Sequence, residues 1–189
     1  MGLTAFLRLR RARRLAARME PWSIEQAAGH VVQFYTGPYP AEAIARFVQE
    51  GIDAGEVALV IATEAHVRAI DHRLQGRGRV LYLDAEETLA KVMVHGRPDR
   101  LRFLDAVGDL VQQAAEHGNG AVRAFGEMVV LLCERGEAEG AVELEALWNE
   151  VATRHRVKLL CSYPLDVVEG RNKGHAARLR DAHSHAVPN

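Results

Sequence analysis

From about residue 28 the chain alternates between short apolar runs and longer stretches in which apolar residues return every three to four positions. HVVQFY (30–35) is β-branched and aromatic and is broken by Gly37-Pro38, the pattern of a strand and its turn. AEAIARFVQEGI (41–52) puts Ile44, Phe47, Val48 and Ile52 on one helical face, and Gly51 and Gly55 close that helix. VALVIAT (57–63) is continuously apolar, as expected of a strand covered on both faces. Val67, Ile70 and Leu74 then recur at helical spacing, and RVLYLD (79–84) predicts a third strand. Asp84 and Glu87 form a D-x-x-E cap for a helix carrying Leu89, Val92 and Met93. A long helix is predicted from about Pro98 to the HGNG stop at 117–120, with Leu101, Leu104, Val107, Leu110, Val111 and Ala114 facing the core. AVRAFGE (121–127) predicts a fourth strand, MVVLLCERG a short helix ending at Gly136, and Leu144, Leu147, Trp148 and Val151 stripe the next helix. VKLLCSY (157–163) is the fifth strand, stopped by Pro164. Strands separated by helices of this length require crossovers, so the expected fold is a three-layer, doubly wound α/β sandwich with a mostly parallel sheet.

Composition narrows the class without naming a function. The 189 residues suit one domain, and 48% apolar with 26% charged residues excludes intrinsic disorder. The 24 basic and 25 acidic side chains are unevenly spread: residues 1–20 hold Arg8, Arg10, Arg11, Arg13, Arg14 and Arg18 against Glu20 alone. Residues 21–189 carry the other 18 basic and 24 acidic side chains. A basic helical arm (1–25) thus precedes an acidic body (26–170), with a histidine-containing C-terminal helix or tail at 171–189. The arm has an apolar stripe of Leu3, Phe6, Leu7, Leu15 and Met19. It suits docking on the body or on a second copy, a partner or lipid surface, or nucleic acid, with a homodimer favoured. Cys133 and Cys161 lie in apolar runs without CxxC spacing and read as reduced core thiols. No apolar stretch approaches a membrane span and no signal-peptide pattern is present, so a cytoplasmic location is expected.

Ligands of open parallel sheets bind beyond the carboxyl ends of the strands. Those ends hold Tyr35 and Thr36, Thr63 and Glu64, Asp84, Gly126 and Glu127, and Ser162 and Tyr163, an edge both polar and acidic. The candidate ligand wall is Tyr35, Thr36, Tyr39, Glu64, Phe125, Glu127 and Tyr163, with His30 and Gln33 of the first strand added. The turn after the first strand stands where a phosphate loop would, yet it has one glycine, Gly37, two prolines without N–H donors, Pro38 and Pro40, and no lysine. Glu127 occupies the position of a magnesium-binding carboxylate, but without that cradle nucleotide hydrolysis is not expected. G-x-S-x-G, HExxH and paired Cys/His nucleophile patterns are absent. No catalytic set, cofactor or metal is expected, and His175, His183 and His185 read as solvent-exposed. His30 must be hydrogen-bonded if buried, either as a core histidine or as a group aimed at a ligand. Five strand steps of ~3.3 Å put it about 16 Å from Tyr35, too far for one small ligand to touch both.

The order of these stretches resembles a known family. H-x-x-Q-F-Y, F-V-Q-E-G-I-D-A-G-E before V-A-L-V-I-A-T, R-V-L-Y-L-D-A, F-G-E-M, L-E-x-L-W-N and L-L-C-S-Y-P are similar to the MEDS domain, the methanogen/methylotroph DcmR sensory domain, from about His30 to Pro164. That family is similar in turn to RecA/KaiC-type ATPase domains. The resemblance implies a non-enzymatic sensor of small molecules, hydrocarbon derivatives among them, coupled to a kinase or transcription regulator. It carries a site role to His30, Gln33, Phe34 and Tyr35, and to Phe125, Gly126 and Glu127. No output domain is recognisable here, so a sensory module would act through a partner or through oligomerisation. A pseudo-ATPase scaffold or protein-interaction protein is the alternative, and a divergent nucleotide-binding enzyme a third.

Overall fold

The strand-like runs fold as read. In the computed structural model, which describes residues 29–76, 78–170 and 174–188, they form β1 (His30–Tyr35), β2 (Val57–Ala62), β3 (Val80–Asp84), β6 (Ala121–Gly126) and β7 (Arg156–Pro164). The basic arm and its stripe of Phe6, Leu7 and Leu15 lie outside the described residues. Together with β8 (His185–Pro188), six strands pair side by side in the order β3-β2-β6-β7-β1-β8, all parallel. β1, β2 and β6 are buried along their whole length, because helices cover both faces of the sheet.

Handedness dictates which face each helix takes. β1 leads through α1 (Ala41–Asp53) to β2, and β2 through α2 (Glu64–Asp71) to β3, both moving toward the β3 edge. The return runs through α3 (Ala85–Val92), α4 (Arg100–Phe103) and α5 (Asp109–His117) to β6, and through α6 (Met128–Arg135) and α7 (Ala138–Arg154) to β7. It ends with α8 (Leu165–Glu169) and α9 (Ala176–Asp181) before β8 (His185–Pro188). Right-handed crossovers that travel in opposite directions must lie on opposite faces. Accordingly Ile44, Phe47 and Val48 of α1 and Ile70 of α2 pack on Val31, Val60 and Phe125. Leu89, Val111, Leu132, Leu144 and Trp148 pack on Val32, Leu59, Ala124 and Leu159 of the opposite face.

Local signals set several boundaries. The Asp84 side chain accepts the Glu87 N–H at 2.9 Å, the expected cap of α3, and Gly136 ends α6 in the left-handed region at φ 78°. Three features differ from the sequence reading. A two-strand ribbon of β4 (Met93–Val94) and β5 (Arg97–Pro98), turned through His95 and Gly96 at positive φ, ends α3 at Val92. The long helix contains a π-helical turn at Leu104–Gly108, whose wider winding rotates the buried face. Phe103, just before it, is fully buried, while Leu101, expected in the core, is 66% exposed. Finally, the C-terminal segment folds back as β8 onto β1, which buries His183 and corrects its expected exposure.

Candidate functional site

β2 hands the chain to α2 on one face, and its neighbour β6 hands it to α6 on the other, so a crevice opens between their carboxyl ends. Glu127, the residue joining β6 to α6, sits there and is only 4% exposed. Its backbone N–H bonds the Ile61 carbonyl at 2.9 Å, fixing it against the end of β2. One carboxylate oxygen accepts the Thr63 backbone N–H at 3.0 Å. His66, in the first turn of α2, places Nδ1 2.8 and 3.0 Å from the two oxygens. A carboxylate accepts only, so Nδ1 carries the hydrogen and Nε2 is the ring's remaining position.

The loop after β1 completes the cluster. Gly37 takes φ 89°, a conformation that L side chains rarely adopt, and Pro38 and Pro40 stiffen the path on either side of Tyr39. The Tyr39 ring stacks on the His66 imidazole with centroids 3.5 Å apart and planes 2° from parallel. It meets Tyr35 edge-on at 6.3 Å. Burial, then the Glu127 charge, push both phenols well up, so neither ionises. The Tyr39 hydroxyl is buried close to Glu127 yet has no partner with normal hydrogen-bond geometry. Buried hydroxyls in native folds are nearly always hydrogen-bonded, so this one stands out.

The surroundings are acidic. Burial, and then Glu127, raise the pKa of Glu134; Glu134 and Asp166, whose charges reach Tyr35, line an adjoining cavity of about 320 Å³ with Cys133, Val167 and Gly170. Together these groups can hold a neutral or cationic molecule through a phenol, an imidazole and a carboxylate.

The nine sequence-chosen residues divide. Tyr35, Tyr39 and Glu127 come together, with Thr36 beside them in the chain. Glu64 is exposed and paired with Arg68, one helical turn on. Phe125 is fully buried against the α1 layer, and Gln33 is buried, accepting the Ser162 hydroxyl at 3.1 Å. His30 and Tyr163 face the other layer, where Tyr163 donates to Glu145 and His30 lies 3.2 Å from the same carboxylate. His66 was missed; its only signal is its place in the first turn of the helix after β2.

A solved structural-study target from Pyrococcus horikoshii OT3 is similar over 95% of this chain and 86% of its own, with a TM-score of 0.51 and 9% identity. That likeness defines the class: an α/β protein with a parallel central sheet. No curated protein matches the sequence. The model of the MEDS family, the MEthanogen/methylotroph, DcmR Sensory domain, matches residues 29–183, and the chain belongs to that family. A sensory or signalling role follows from that membership. Among the described residues no helix is long and apolar enough to cross a membrane.

Proposed function

We propose that the protein is a non-catalytic sensory module that takes a small neutral or cationic organic molecule at the carboxyl edge of β2 and β6 and signals through a partner protein. One observation carries this reading: the Glu127–His66–Tyr39 cluster, in which the Tyr39 hydroxyl is buried beside Glu127 without a hydrogen bond of normal geometry. It links the loop after β1, the start of α2 and the start of α6, so a ligand accepting from Tyr39 would shift three segments together. The β1–α1 loop supports binding without nucleotide hydrolysis, since two of its residues lack N–H groups and the Ala41 N–H is already bonded to the Tyr39 carbonyl at 2.9 Å. Hydrocarbon derivatives, the class implied by the family resemblance, fit the mixed aromatic and polar lining. Thermal-shift screening with halogenated, methylated and aromatic compounds tests it. At least one class should raise the melting temperature, and Tyr39→Phe, which keeps the ring and the fold, should weaken the response about tenfold, near the 1.4 kcal/mol of one hydrogen bond. Melting that no compound shifts would refute ligand sensing, and heat on titrating ATP with magnesium would restore a nucleotide-binding reading.

A further inference from the structure

A second polar cluster lies across the sheet from Glu127, at the amino end of β1. His30 of β1, Cys161 of β7, Glu145 of α7 and His183 beyond α9 are all buried, and one ligand-type atom from each lies within 4.8 Å of all the others. His30 Nε2 is 3.3 Å from Cys161 Sγ and 3.2 Å from Glu145 Oε2, and His183 Nε2 is 3.4 Å from Glu145 Oε1. Tetrahedral zinc, with bonds of about 2.0–2.3 Å, holds its ligand atoms about 3.2–3.7 Å apart. These three separations fall in that range, and every pair of the four ligand atoms lies within 4.8 Å.

Hydrogen bonds on the far side of each ring fix what the cluster can hold. His183 Nδ1 lies 2.7 Å from the Leu179 carbonyl, which only accepts, so Nδ1 carries the hydrogen. Asn149 donates through Nδ2 to the Ala182 carbonyl at 2.7 Å, which turns its Oδ1 toward His30 Nδ1 at 3.0 Å. His30 therefore also donates from Nδ1. In the neutral rings both Nε2 atoms are lone pairs facing a carboxylate. His30 Nε2 can accept the Cys161 S–H, but His183 Nε2 and Glu145 Oε2 are buried with no hydrogen-bond partner. Acceptors facing acceptors in a dry interior are costly, and a cation satisfies them all. Imidazoles held through Nδ1 by a carbonyl and an amide oxygen, with Tyr163 donating to Glu145, also form the outer hydrogen-bond layer that orients metal ligands.

We propose that His30, Glu145, Cys161 and His183 form a closed, four-coordinate site for a zinc-class divalent cation. Two imidazoles, one thiolate and one carboxylate select a borderline-soft ion over magnesium or calcium, and four protein ligands leave no open position for catalysis. Binding displaces the Cys161 proton to solvent, since the thiolate is the ligand. The ion would join β1, α7 and β7 to the segment leading into β8, adding to the Ser184 N–H bond to the His30 carbonyl at 2.7 Å. This site does not depend on the reading of the carboxyl edge.

The test uses the full chain, stripped with a chelator and titrated with Zn2+ or Co2+ alone. Zn2+ should bind one per chain and raise the melting temperature by more than about 5 °C. Co2+ should give the intense visible absorption of a four-coordinate site together with a thiolate-to-metal charge-transfer band. Cys161→Ser should lose that band, and His175→Ala should keep it. Zinc X-ray absorption of the unmutated protein, which depends on no variant folding, should show one sulfur and three nitrogen or oxygen ligands. No uptake of either ion, a charge-transfer band surviving Cys161→Ser, or a zinc shell without sulfur would each overturn the site.

Discussion

Single side chains in this molecule are constrained by what crosses the sheet. Gly51 lies in α1 over β6, where a Cβ would meet the Arg123 Cβ at 2.6 Å and its Cγ at 2.8 Å. Arg123 cannot swing away, because its guanidinium lies over the Phe47 ring at 4.8 Å and donates to Glu56 at 2.7 Å. Alanine in a helix interior is worth about 1 kcal/mol over glycine, but forcing atoms into a packed site costs about 1–3 kcal/mol. Gly51→Ala is therefore expected to destabilise the protein by about 1 kcal/mol net in urea unfolding, whereas an increase would show that the backbone of α1 yields. By local pattern Gly51 is a helix stop. Its actual constraint is a residue 72 positions away, which no local pattern reports.

Elements were readable wherever their cause was local. α3 begins at Asp84, whose carboxylate takes the Glu87 N–H, and the first turn adds Glu86 and Glu87 near the positive end of the helix dipole. Asp84→Ala should cost about 1 kcal/mol, lowering the melting temperature by about 2–4 °C, and Asp84→Asn should recover most of it. Equal losses in both variants would assign the effect to charge instead of the cap. The ribbon of β4 and β5 was not legible, since two-residue strands carry no periodicity. β8 was hidden for a different reason. Its four residues, His-Ala-Val-Pro, are too few to show a period, and they become a strand because β1 offers an unpaired edge to the segment that α9 delivers.

On the scale of the whole molecule, buried polar groups tie the layers together at both ends of the sheet. At one end Glu56, which precedes β2, joins Arg123 of β6 at 2.7 Å and Lys158 of β7 at 2.9 Å. Burial works to raise the Glu56 pKa, but hydrogen bonds from Arg123 and Lys158 outweigh it and hold the carboxyl below the ordinary glutamate value of 4.5. Its stabilisation is complete above that value and is lost as pH falls through the depressed folded-state pKa. The unfolding free-energy gap between the native chain and Glu56→Gln should stay constant from about pH 7 to about pH 5 and narrow below about pH 4.5. A gap that widens on acidification would contradict the pairing. The α/β class, the parallel strands and the aromatic loop after β1 could all be read along the chain, because burial on both faces writes continuous apolar runs and turns write glycine and proline. The partners of those residues could not. Glu127 finds His66 because neighbouring strands send their helices to opposite faces, and Tyr163 and His30 turn to Glu145 because strand alternation points them at α7. His183 joins them because pairing of β8 with β1 carries it inside. Which polar groups meet depends on strand order and crossover direction, and these are settled by packing between segments far apart in sequence.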